Sequence, residues 1–142
     1  MKNKAKEYLS QIRYNDLDIT SRQEELKYLQ ASFIGSPELK HDNISGSNGN
    51  GQENKMMRYV EMSETITNHI NDLHQLRIRI VNEIDSLDDH RERYVLRERY
   101  VLTKTWKEIS FALKCSERNI HRIHGKALDS FRKKHLDEPK RE

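Results

Sequence analysis

The chain has little of what usually staples or punctuates a small fold. One residue in 142 is cysteine, Cys115, which excludes an intramolecular disulfide framework and a cysteine-rich zinc site. Two prolines, at 37 and 139, leave long spans free of helix breakers. Four of the five glycines fall at 35, 46, 49 and 51, so little turn chemistry is left for the rest. No phosphate-binding glycine loop is present, and no apolar run approaches the roughly 20 residues of a bilayer-spanning helix. The first residues, MKNKAKEYLSQIR, are charged throughout and lack the apolar core of a signal peptide. A soluble, cytoplasmic, non-enzymatic protein with no cofactor is the expectation.

Hydrophobic residues make up 34% and charged residues 35%. That is too polar for one compact core of this length and too periodic for disorder. Long amphipathic helices fit, because each needs only a narrow apolar stripe. The charge is also unevenly spread. Residues 1–90 carry 11 Lys/Arg against 15 Asp/Glu, and residues 91–142 carry 15 against 8. A basic C-terminal third points to a polyanionic partner.

Residues 3 to about 33 read as one helix, with Ala5, Ile12, Ile19, Leu26 and Phe33 at intervals of seven. That is a coiled-coil seam. Asn15/Asp16 and Arg22/Gln23 interrupt its intermediate positions. Residues 35–55, rich in Gly, Ser and Asn, read as a flexible linker. Residues 56–90 hold a second helix whose seam is Ile66, Leu73, Ile80 and Leu87, with Ile70 and Ile84 between and Arg77 interrupting. The expected fold is all-α: an antiparallel coiled-coil hairpin of residues 1–34 and 56–90. Periodicity does not separate this from a parallel homodimer through residues 59–87. Asp85, Asp88 and Asp89 form an acidic end to the second helix, unfavourable against its dipole. Asp89 is a candidate N-cap for a short helix over Glu92–Leu102, with Val95, Leu96 and Tyr100 facing a core.

Thr105-Trp106-Lys107-Glu108 is a capping box. Trp106, Ile109, Ala112 and Leu113 follow at helical spacing. Lys114-Cys115-Ser116 is a turn, and Ser116 is a good N-cap. In the next helix Ile120, Ile123, Ala127, Leu128 and Phe131 share one face. Arg118, Asn119, His121, Arg122, Gly125 and Lys126 fall elsewhere. A helix-turn-helix over 91–136 is expected, followed by a charged tail, 137–142. Arg matches guanine bidentately, Asn matches adenine, and a recognition helix enters the major groove by its N-terminal residues. His121 and His124, i and i+3, and His69 and His74 have no carboxylate or thiol completing a zinc set, so no metal site is expected. His121 is expected on phosphate or base, and His124 near the domain surface.

Leu96-Arg99-Tyr100, then TWKEI at 105–109, then SERNIHRIHGKAL at 116–128, resemble region 4 of bacterial sigma factors. That region is the helix-turn-helix that reads the promoter −35 element. The chain as a whole resembles a phage-encoded family from Gram-positive hosts, grouped loosely with late-gene transcriptional activators. The resemblance implies double-stranded DNA as partner, the bacterial host cytoplasm as location, and contact with host RNA polymerase. It places base contacts at Glu117, Arg118 and Arg122, with Ser116, Asn119, His121 and Lys126 beside them. Two glycines common in sigma-type domains are missing: Lys114 stands in the turn, and Thr103-Lys104 precedes Thr105. Gly125 lies inside the recognition helix, a position where it would allow close packing. No sigma region 2 is recognisable, so the chain is not expected to melt DNA. Rival readings are a packaging component resembling a small terminase subunit, and a polymerase adaptor that touches no DNA.

Overall fold

The computed structural model describes residues 3–35 and 49–137, and the chain is all-α. The helices are α1 (Lys4–Ile34), α2 (Gly49–Asp85), α3 (His90–Leu96), α4 (Trp106–Leu113) and α5 (Glu117–Phe131). A π-helical turn, Arg97–Val101, follows α3, and another, Arg132–Leu136, follows α5. The expected two-helix hairpin is present, followed by a set of short helices. The chain divides into two compact units: Leu17–His74, and Met1–Asp16 together with Gln75–Glu142.

The Leu17–His74 unit is a two-helix pair. Ile19 of α1 is buried with Ile66 and Ile70 of α2, and Leu26, Leu29 and Leu73 are half-buried around them. Phe33 stacks on Tyr59, with ring centroids 4.4 Å apart. A pair of helices can cover only the seam between them, so the core is one residue wide.

The other unit is deeper. Ala5, Leu9 and Ile12 of α1 pack with Ile80, Ile84 and Leu87. Tyr8 donates a 2.5 Å hydrogen bond to the Glu83 carboxylate. Two of the charged residues that interrupt the opposing seams, Asp16 and Arg77, meet here. Arg77 Nε lies 2.9 Å from Asp16 Oδ1. Each interruption is thus matched by the other, which favours one register of the hairpin. Leu96, Tyr100, Val101, Ala127, Leu128 and Phe131 close the same core. The residues expected to form a separate domain over 91–136 therefore share their interior with both ends of the hairpin. The apolar stripe of α5 is longer than α4 alone can cover, and its second half needs α1 and α2.

Several boundaries differ from the sequence reading. α2 begins at Gly49, inside the stretch read as linker. Glu53, Lys55, Met56 and Met57 are good helix formers and carry the helix upstream, past Gly51. The rest of that stretch, 36–48 with Pro37, lies outside the described residues, as do 138–142 of the tail. α2 ends at Asp85, so Asp88 and Asp89 lie beyond its C-terminus. Asp89 instead caps α3, which starts at His90. Its Oδ1 accepts from the amides of Arg91 at 2.9 Å and Glu92 at 3.1 Å. Those backbone hydrogen bonds, that from Glu92 foremost, hold its carboxyl below the usual carboxylate range. The helix expected to run to Leu102 widens after Leu96, where Leu102 N–H reaches Arg97 O at 3.2 Å. Thr103 then turns the chain with φ 54°.

Candidate nucleic-acid interface

The helix pair α4–α5 is set by the local signals in its sequence. Thr105 Oγ1 accepts from Glu108 N at 3.1 Å, and Glu108 Oε1 accepts from Thr105 N at 3.4 Å. This reciprocal cap satisfies two amides that a helix start leaves open. Lys114 closes α4 in the left-handed conformation, φ 54° and ψ 44°. Ser116 caps α5 by accepting from Asn119 N at 3.1 Å. Val95, Ile109, Ile120 and Ile123 form the core between the helices, edged by Tyr94, Trp106, Leu113 and Cys115. Burying each such aliphatic side chain contributes about 1.5–3 kcal/mol before entropy is counted.

α5 has two faces. Ile120, Ile123, His124, Ala127, Leu128 and Phe131 are buried. Glu117, Arg118, His121, Arg122, Gly125 and Lys126 are exposed. Six of the seven sequence-predicted residues are exposed; Ser116, one of them, spends its hydroxyl on the cap. Asn119 is half-buried at the edge. Its Oδ1 accepts from Arg122 Nε at 3.1 Å, which steadies the guanidinium while leaving both Nη groups available. Asn119 is thus placed to position Arg122. His121 lies against the Trp106 ring, centroids 4.7 Å apart.

Charge pairing differs along the helix. At the C-terminal end, Asp129 holds Arg132 at 2.6 Å and Lys133 at 3.1 Å. Among the described residues, Arg118, Arg122 and Lys126 make no ion pair. The first three turns therefore present three cations that are not ion-paired, beside the single carboxylate of Glu117.

His124 is not near the surface; it is 8% exposed. Its Nε2 and the Tyr100 hydroxyl share a 2.8 Å hydrogen bond, and its ring meets Trp106 edge-on at 4.6 Å. Burial first, then the charges of Lys6, His121 and Arg99, push the imidazole down to about 4. Burial pushes the Tyr100 phenol up to about 12. The pair is neutral at physiological pH. The signal was present in the sequence: 120, 124, 127 and 131 form one helical stripe.

Sequence reasoning passed over Lys107, Phe111 and Lys114. The buried stripe of α4 leaves these three, at i, i+4 and i+7, on its opposite face. Phe111 is 86% exposed and shares a shallow groove with Lys107, Lys114, Ser116 and Glu117 at the start of α5. Gly125 also differs from expectation. A Cβ built there meets nothing within 4 Å, so close packing inside the protein does not require glycine.

Among the described residues, no group of three His, Cys, Asp or Glu side chains is placed to hold a metal ion. Nor is any helix among them long and apolar enough to cross a membrane.

A family model described as "Protein of unknown function (DUF1492)" matches residues 33–132, from the last turn of α1 through α5. No curated protein and no solved structure matches the chain.

Proposed function

We propose that this chain, which belongs to the DUF1492 family, is a sequence-specific DNA-binding regulator of transcription that reads promoter DNA with α5 in the major groove. The observation that carries this reading is the unpaired Arg118, Arg122 and Lys126 on the exposed face of a capped helix-turn-helix. Positive side chains that are not ion-paired within the protein displace counterions when they meet DNA phosphates, which drives binding. Arg122, steadied by Asn119, and Arg118, one turn earlier, are suited to guanine O6 and N7. Glu117 accepts from a cytosine amino group. Lys126 and His121 serve the backbone.

The resemblance to sigma region 4 adds a phage setting, promoter DNA as target and host RNA polymerase as second partner, in the bacterial cytoplasm. Homodimerisation through the coiled-coil helices fits the paired half-sites that helix-turn-helix proteins commonly use.

Chromatin precipitation with sequencing in the host supplies the cognate site. On that site Arg118→Ala and Arg122→Ala each cost about 1–3 kcal/mol and relax specificity at one base pair. Lys126→Ala weakens cognate and scrambled duplexes alike. Unchanged cognate binding by both arginine variants sinks the base-reading assignment.

A further inference from the structure

A cleft of about 250 Å³ lies beside the start of α4. Lys6, Ser10 and Arg13 line one wall, at i, i+4 and i+7 of α1, so a single face of that helix supplies all three. Arg99 and Trp106 line the other wall, and Tyr100 is at the base. The Arg99 guanidinium sits 4.3 Å from the Trp106 ring centroid and donates to Lys104 O at 3.0 Å, which fixes its position. No carboxylate lines the cleft, and among the described residues none of its three cations is ion-paired. A concave site lined by charge of one sign with low-dielectric walls concentrates its field on an incoming ion of the opposite sign.

The cleft adjoins the reading face. Trp106 forms its wall on one side and contacts His121 of α5 on the other. In a helix-turn-helix the first helix crosses the nucleic-acid backbone while the second enters the groove, and Trp106 is the first residue of that first helix. We infer that the cleft takes a backbone phosphate of the duplex that α5 reads, so that Lys6 and Arg13 of α1 belong to the DNA interface. This rests on the DNA-binding reading above. A phosphodiester offers two free oxygens, matched here by an ammonium and two guanidinium forks, while the Ser10 hydroxyl donates back to Lys6 O at 2.6 Å.

The test uses the full chain with Lys6→Ala/Arg13→Ala, titrated against cognate and scrambled duplexes over a salt series. Both side chains are exposed, so melting should be unchanged. Loss of each phosphate contact makes the slope of log K against log salt shallower by about 1. The affinity loss is equal on both duplexes. Trp106 is the single tryptophan of the chain. Its emission should shift when duplex is added to the wild type, and the shift should shrink in the double variant. Lys6→Arg/Arg13→Lys should keep the wild-type slope. An unchanged slope and emission shift in Lys6→Ala/Arg13→Ala, with Arg118→Ala still weakening binding, overturns the cleft and leaves the reading of α5 standing. If the wild type binds neither duplex, the reading falls and the inference with it.

Discussion

The two units are built from the same pair of helices and bury very different amounts. Among the described residues of Leu17–His74 only Ile19, Ile66 and Ile70 are buried, each still 6–9% exposed, while Leu17, Tyr28, Ile34 and Met57 are more than half exposed. In the other unit Leu9, Ile12, Ile80, Ile84, Leu96, Ile109, Ile120 and Phe131 are fully buried. The difference is geometric. Two helices bury one seam, and a helix added across that seam converts the outward positions at its edges into core. Helix α5 belongs to the deep unit. Its orientation is therefore held by residues more than 100 positions away in sequence, such as Ala5 and Leu9, whereas the two-helix unit can open locally at little cost.

Phe131→Ala is the strongest way to break this contrast. It empties a fully buried site shared by α1, α2 and α5 and should cost about 3–5 kcal/mol. Leu26→Ala, at a half-buried seam position of the other unit, should cost well under half of that. Urea denaturation gives both numbers. Hydrogen exchange should show α5 and the first turns of α1 losing protection in Phe131→Ala, and only residues 17–74 losing it in Leu26→Ala. Equal costs would mean that the thin unit is as cooperative as the deep one.

The next largest effect is on pH. The buried His124 imidazole lies at about 4, below its ordinary value of 6.5. Above pH 6.5 neither state binds the proton, so stability is at its full value. Between 6.5 and 4 only the unfolded chain binds it, so stability falls, by roughly 2–4 kcal/mol in all. Below pH 4 both states are protonated and this loss levels off. His124→Gln should flatten the slope in that window, and exchange should place the loss in α3 and α5. A slope unchanged by the substitution would mean that His124 is solvated in solution.

How much of the deep unit could be read beforehand follows from the range of the forces. The Thr105–Glu108 box and the Ser116 and Asp89 caps depend on neighbours within four residues, and each stood in the sequence. The hairpin seam was legible because it repeats. The pairing of Asp16 with Arg77 was not, since each alone looks like a defect in its own helix. The shared core was missed because a stripe on α5 shows that something covers it, not what does. His124 was misplaced because its chemistry was weighed before its position on the stripe.

Smaller effects test whether the deep unit is locally relaxed. Thr103 is β-branched and has φ 54°, a conformation that clashes with its own Cβ. Thr103→Gly should raise stability by up to about 1 kcal/mol, the left-handed penalty less the extra entropy of glycine in the unfolded chain. Thr103→Ala, which keeps a Cβ, should give much less. A loss in Thr103→Gly would show that the threonine side chain holds the turn.

Gly125 is the finest probe, because stability and binding are expected to move in opposite directions. It lies mid-helix in α5, on the exposed face, with open space around the missing Cβ. Gly125→Ala should stabilise the fold by about 0.5–1 kcal/mol, since helix propensity improves and nothing must shift. Glycine is otherwise used where a partner approaches the backbone closely. If duplex DNA lies against this face, the same substitution should weaken its binding while the protein melts higher. A gain in stability with unchanged DNA affinity would place the duplex away from Gly125, leaving only the first two turns of α5, from Glu117 to Arg122, against the bases.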